Sequence, residues 1–282
     1  MKCILTLVWA LTMTSAYAQT SDIMKKNILT QRQLSLAECA SLEAQGDMVR
    51  LDVALSKALD NGVSVNELKE AFSQLYAYTG FPRSLNALNR LKNVLDDRKH
   101  KGICDNEGKP WTKPALWNDA SEALKRGTEV QSRLVGGREY KYDFCPQEDY
   151  YLKSHLFGDI FAGDQLSEAD REIVTVAALS GMKGVDAQLA SHKRGAVAMG
   201  NTAEQVEQLC NYLSENGLSQ SDNAADACHG DWPKGSPNTH FAQYFTGNSH
   251  LAPIATHVKT SDKGCNEWLE EVSDEEYHNI HQ

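Results

Sequence analysis

The sequence predicts an all-α protein made of two tandem antiparallel helical repeats that pack together as a pseudo-dimer, followed by an irregular C-terminal tail. The first observation is an internal repeat. Leu29-Thr30, Ala40-Ser41-Leu42, Leu51, Ala54, Ala58 and Gly62-Val63-Ser64 return as Leu166-Ser167, Ala177-Ala178-Leu179, Leu189, His192, Ala196 and Gly200-Asn201-Thr202. Leu29 and Leu166 are 137 positions apart and Gly62 and Gly200 are 138 apart, the trace of a duplication with a one-residue change in a turn. The second observation is apolar spacing of three and four residues with no strand-like alternation. The third is a set of helix start and stop signals at the places where that spacing begins and ends.

In the first repeat, residues 19–98, one helix is expected from Leu34 to Ala44, then a turn at Gly46-Asp47. A second runs from Met48 to Asp60, with Leu51, Leu55, Ala58 and Leu59 on one face and a left-handed stop at Asn61-Gly62. Ser64 with Glu67 three residues later forms a capping box for a helix carrying Leu68, Ala71, Phe72, Leu75 and Tyr76. After Gly80-Phe81-Pro82, Ser84 is expected to cap a further helix with Leu85, Leu88, Leu91 and Leu95 inward. Residues 99–146 are rich in Gly, Lys and Pro and read as a linker whose only helix spans Asn118 to Arg126.

The second repeat, residues 147–216, opens with a helix through Tyr150, Tyr151, Leu152, His155, Leu156, Ile160 and Phe161. Ser167 with Asp170 starts the next, to Leu179; another runs from Val185 to Met199, and a Thr202–Gln205 box starts the last, to about Asn216. Residues 217–282 are a loop-rich tail in which a strand or two from Phe241 onward is conceivable.

Composition narrows the partners. Lys plus Arg number 28 against 38 Asp plus Glu, a net charge of −10, and no basic block occurs, which argues against nucleic acid and anionic membrane surfaces. Residues 1–18 read as an export signal: Lys2, an apolar run from Cys3 to Leu11, and the small-x-small site Ala16-Tyr17-Ala18. The run is shorter than the roughly 20 residues that span a bilayer. The expectation is cleavage after Ala18 and a periplasmic or secreted protein without a membrane span.

Cleavage would leave Cys39, Cys104, Cys145, Cys210, Cys228 and Cys265, an even number suited to disulfides in an oxidising compartment. Cys39 lies in an apolar run and reads as a buried thiol; Cys104 with Cys145 and Cys228 with Cys265 are the pairs to test. Histidines 229, 240, 250, 257, 278 and 281 crowd the tail without ligand-like spacing, so no metal and no cofactor is assigned.

The strings Ala58-Leu59-Asp60-Asn61-Gly62-Val63-Ser64-Val65-Asn66-Glu67, Gln74-Leu75-Tyr76-Ala77-Tyr78-Thr79-Gly80-Phe81-Pro82-Arg83-Ser84-Leu85-Asn86-Ala87-Leu88 and Leu152-Lys153-Ser154-His155-Leu156-Phe157-Gly158-Asp159-Ile160-Phe161 carry a resemblance. With Asp170-Arg171-Glu172 and the Gln188-x-x-x-His192 helix, they resemble the carboxymuconolactone decarboxylase family, which also contains the alkylhydroperoxidase-D-like proteins. The resemblance covers residues 29 to 216. Phe241 to Pro253 is similar to the entry into a cupin barrel, but Gly264-Cys265-Asn266-Glu267-Trp268 stands where a cupin places its metal-binding histidines.

The resemblance implies two chemistries. The peroxidase branch uses Glu with Cys-x-x-Cys-x-x-x-His, and here Val185-Asp186-Ala187-Gln188 precedes His192, so both thiols are missing. The decarboxylase branch needs a proton donor near neutrality, an oxyanion partner and a carboxylate clamp. His192 fits the acid and Glu172 its orienting carboxylate, whereas the first repeat has Ala54 and Ser35 at those places. Arg83 and Arg171 are candidate clamps, each also readable as an interhelix salt bridge. Tyr76 and Tyr78 are candidate pocket walls, also readable as core. His155 follows the logic of His192, and Glu67 is accounted for by its capping box.

The leading expectation is a cofactor-free lyase acting on a small organic acid or lactone through a His192/Glu172 proton-transfer pair. The protein would assemble further as a homo-oligomer, as single-repeat relatives do. The alternatives are a peroxiredoxin-type activity through a non-family thiol such as Cys210, and a non-catalytic binding or scaffold protein.

Overall fold

The computed structural model describes residues 28–220. The export signal, the Cys228–Cys265 pair, the tail histidines and the cupin-like stretch lie outside them. The described residues are helical and form two repeat-like halves. The first half is α1 (Gln31–Gln45), α2 (Met48–Asp60), α3 (Val65–Thr79) and α4 (Phe81–His100). A single 3₁₀ turn (Ala115–Asn118) and α5 (Ala120–Leu134) follow. The second half begins with α6 (Pro146–Tyr150), which continues into a π-helix (Tyr151–Asp159) and a 3₁₀ turn (Ile160–Ala162). Then come α7 (Glu168–Ser180), α8 (Asp186–Ala198) and α9 (Ala203–Glu215).

The local chemistry explains the boundaries. The Ser64–Glu67 and Thr202–Gln205 boxes form with both reciprocal hydrogen bonds, and Thr30–Gln33 makes a third at the start of α1. Ser167 accepts from the Asp170 amide at the start of α7. One expected start differs. Ser84 does not cap α4: the helix already begins at Phe81 after Gly80, with Pro82 in its first turn, and the Ser84 hydroxyl donates inward to the Phe72 carbonyl at 2.8 Å.

The stretch read as linker also differs. Its helix runs to Leu134, not Arg126, because Gly127 acts as a contact point and does not break it. A Cβ at Gly127 would lie 1.6 Å from the Lys153 carbonyl oxygen, and one at Gly158 2.3 Å from that of Ala123. The backbones of α5 and the π-helix therefore meet directly, which only glycine permits. Val130, Leu134, Val135 and Tyr140 join Leu156, Phe157, Phe161 and Met199 in a small core of their own. Residues 120–140 thus pack with the second half, whereas Asn106 and Glu107 accept from the Val65 and Asn66 amides of the first.

The main core is shared by both repeats. Leu36, Leu51, Leu55, Leu68, Phe72 and Leu75 from the first pack with Ile173, Val174, Val176, Leu209 and Leu213 from the second. Each fully buried side chain of this kind contributes about 1.5–3 kcal/mol. At its centre α1 and α7 lie side by side and run in the same direction. At one end Arg32 Nη1 pairs with Asp170 at 3.0 Å and Gln33 Nε2 donates to its other oxygen at 2.9 Å. At the other end a Cβ on Gly181 would stand 2.9 Å from the Ser41 carbonyl oxygen. Arg32 also pairs with Glu67, so the carboxylate that closes the α3 capping box ties α3 to α1 as well.

Cys39, Cys104, Cys145 and Cys210 are free thiols. The Cys104–Cys145 bridge offered by the sequence is therefore not formed; Cys104 is exposed on the stretch after α4 and Cys145 is half-buried at the start of α6. No helix among the described residues is long and apolar enough to cross a membrane.

Candidate functional site

Glu172 sits in the second turn of α7 and His192 in the middle of α8, facing it. His192 Nδ1 and Glu172 Oε2 are 2.8 Å apart; the carboxylate is fully buried and the imidazole 8% exposed. Engaging Nδ1 fixes the ring's orientation and leaves Nε2 as the nitrogen for exchange with a ligand.

The first repeat closes the site. Tyr78 of α3 lies edge-on to the His192 ring, with centroids 5.5 Å apart and planes at 80°. Burial, and after it the Glu172 charge, raises the Tyr78 phenol above its ordinary pKa, so the hydroxyl stays neutral. One turn earlier Gln74 Nε2 donates to the Arg171 carbonyl at 3.0 Å and to Thr175 Oγ1 at 2.8 Å, locking α3 onto α7. Buried side-chain atoms without a hydrogen-bond partner include Glu172 Oε1, Ser191 Oγ beside His192, and Gln131 Oε1 on α5. Such atoms mark sites of water or ligand in proteins that otherwise satisfy their polar groups.

The corresponding place in the first repeat is built differently. Ser35 accepts from Asn61 Nδ2 at 2.9 Å, and Ala54 stands buried where the second copy has His192. Tyr212, 138 positions beyond Gln74, donates to Glu38 at 3.0 Å, and Lys57 pairs with the same carboxylate oxygen at 2.8 Å. This is an ion-pair and hydrogen-bond cluster with no imidazole. The His/Glu pair belongs to the second copy.

These geometries accompany a direct family match. The profile of the carboxymuconolactone decarboxylase family matches residues 12–93 and 146–225, more than half of the chain in two tandem segments. The chain belongs to the carboxymuconolactone decarboxylase family. The second match begins where α6 begins, and it contains both Glu172 and His192. Comparison with curated proteins finds no match.

The other residues expected at the family site are placed elsewhere. Arg171 is 1% exposed; it pairs with Glu70, donates to Gln74 Oε1 at 3.0 Å and lies 5.6 Å from the centre of the Phe161 ring. It is an internal tie between the repeats, with its guanidinium spent on protein partners, and is not a clamp open to a ligand. Arg83 Nη1 donates to the Ala44 carbonyl at 2.7 Å, capping the end of α1, and its charge acts on Glu43. Tyr76 points away from His192 because it is two residues, about 200° of helix, from Tyr78. It stacks on Phe81 at 4.2 Å and meets His155 at 5.7 Å.

Two features were not read from the sequence. Glu43 on α1 is fully buried, with Thr79 Oγ1 donating to Oε1 at 2.8 Å and Oε2 without a partner. Burial pushes its carboxyl up to about 7, against the lowering effects of Thr79 and Arg83. The second is a cavity of about 390 Å³ beside α3 and the π-helix, lined in part by Tyr76, Trp111, Trp117 and His155. Among the described residues no group of three or more His, Cys, Asp or Glu side chains is arranged to hold a metal ion.

Proposed function

We propose that this protein is a carboxymuconolactone-decarboxylase-like lyase that acts on a small organic acid or lactone and uses His192 as its proton donor. The observation that supports it is the 2.8 Å contact between His192 Nδ1 and the buried Glu172 carboxylate in a chain of this family. In the reaction, the bond from carbon to the departing carboxylate breaks and its electron pair stays on carbon. Carbon dioxide leaves, the Nε2 proton of the imidazolium passes to that carbon, and water restores the imidazolium. Glu172 acts through the ring, holding its orientation and offsetting its positive charge. Tyr78 walls the ring on the side of the first repeat. The same reading includes export, on the Lys2-to-Ala18 pattern, and assembly into homo-oligomers.

The redox alternative draws less support. No cysteine lies on α8, and Cys210, the thiol offered for this activity, is buried on α9 at 7% exposure. The test is release of carbon dioxide from a panel of small lactone carboxylates by wild type, His192→Ala and Glu172→Gln, with circular dichroism on each. Turnover by wild type lost in both variants at unchanged helicity supports the reading; turnover that survives both overturns it.

A further inference from the structure

We propose that the cavity between α3, the π-helix and the 111–117 segment is a second ligand site, for a small planar ring compound that carries a carboxylate and one hydrogen-bond donor. Its volume of about 390 Å³ falls at the small-molecule end of protein pockets, which run from about 300 to 1,000 Å³. The proposal does not rest on the chemistry assigned to His192.

The walls suit a ring. Trp111 and Trp117 face each other at 5.8 Å with planes at 50°, and the Trp117 indole N–H is pinned to the Asp159 carbonyl at 3.0 Å. Opposite, Tyr76 is backed by Phe81, with ring planes only 8° apart. The Trp117 and Tyr76 rings are held in place before any ligand arrives, which lowers the ordering cost of stacking.

The charges suit an anion. Both carboxylates of the lining are committed within the wall: Glu70 to Arg171, and Asp159 to His155 Nδ1 at 3.0 Å. Lys69 is held only loosely, 3.4 Å from Asn66 Oδ1 and 4.0 Å from Glu107, and is half exposed. Lys69 is thus the cation of the lining least engaged by protein partners, and the one placed to pair with a ligand carboxylate. His155, with Nδ1 occupied, offers Nε2 beside it.

One buried acceptor calls for a donor. Gln165 lines the cavity and is 9% exposed. Its Nε2 donates to the Pro110 carbonyl at 3.3 Å and to Asp164 Oδ1 at 3.0 Å, which fixes the amide's orientation, and its Oε1 has no partner. An N–H or O–H on the ring would satisfy it.

The test is calorimetric titration of the full chain with 3-aminobenzoate, benzoate, benzamide and cyclohexanecarboxylate. 3-Aminobenzoate is expected to bind best, benzoate better than benzamide, and cyclohexanecarboxylate worst. Trp117→Ala is expected to weaken 3-aminobenzoate at least tenfold, Lys69→Met to erase the preference for benzoate over benzamide, and Gln165→Leu to erase the advantage of the amino group. Trp117 and Lys69 are both substantially exposed, so their variants keep the fold. No saturable binding of 3-aminobenzoate by wild type up to about 10 mM, or binding unchanged by both Trp117→Ala and Lys69→Met, overturns the proposal. His192→Ala is expected to bind 3-aminobenzoate as wild type does; loss of binding there would overturn the separation of the two sites.

Discussion

Tyr78 from the first repeat meets His192 from the second edge to ring, 5.5 Å between centroids and 80° between planes. The candidate site is therefore walled by both copies, although its His192–Glu172 pair comes from one.

Because the ring makes this contact and the hydroxyl is an accessory, Tyr78→Phe is expected to keep stability within about 1 kcal/mol of wild type. Tyr78→Ala should cost about 2–4 kcal/mol and shift the His192 ring-proton resonances, which lose their aromatic neighbour. Chemical denaturation with proton NMR distinguishes the two; equal effects of both variants would show that the hydroxyl matters more than the ring.

Glu43 gives a pH signature. Its carboxyl titrates near 7 in the fold against 4.5 ordinarily. Between these values the folded protein retains a proton that the unfolded chain has released. Stability is therefore expected to fall as pH rises from about 4.5 to about 7 and to level off above. Glu43→Gln keeps an oxygen for Thr79 and should flatten that slope, raising stability at pH 8 by at most about 3 kcal/mol. Urea unfolding at pH 5 and pH 8 reads the difference, and a variant destabilised equally at both would assign the effect to packing.

Gly127→Ala should be severe for a one-carbon change. The added carbon would overlap the Lys153 carbonyl, so α5 and the π-helix must separate, at a cost of about 3 kcal/mol or more. Thermal unfolding tests this, and a melting point within a degree or two of wild type would contradict the close contact.

Arg171→Met should destabilise by about 3–5 kcal/mol, because it leaves the nearly buried Glu70 carboxylate without its partner. Adding Glu70→Gln to it is expected to recover part of the loss. A double variant no better than the single would indicate that Arg171 works through its contact with Phe161.

The helices were largely legible in the sequence because their boundaries are set locally. Ser64, Ser167 and Thr202 cap what their spacing says they cap, and Gly62 takes the left-handed turn that Asn61-Gly62 announces. Glu172 and His192 were reachable through the repeat, since they stand where the first copy has Ser35 and Ala54. What escaped depends on contacts between distant segments. Gly127 looks like a helix breaker until Lys153 is placed against it, and Ser84 looks like a cap until Phe72 is above it. Arg171 looks like an open clamp until Glu70 arrives from 101 residues away. Trp111 and Trp117 sit in a Gly- and Pro-rich stretch whose composition gives no hint that they roof a cavity.

The parallel pairing of α1 with α7 bears on whether the two halves can be parted. Gln74 and Tyr78 of the first copy reach the helices of Glu172 and His192, and Tyr212 of the second reaches Glu38, so each copy braces the other. A chain cut between the halves is expected to lose both braces at once, His192 its Tyr78 edge and Glu38 its Tyr212 hydroxyl.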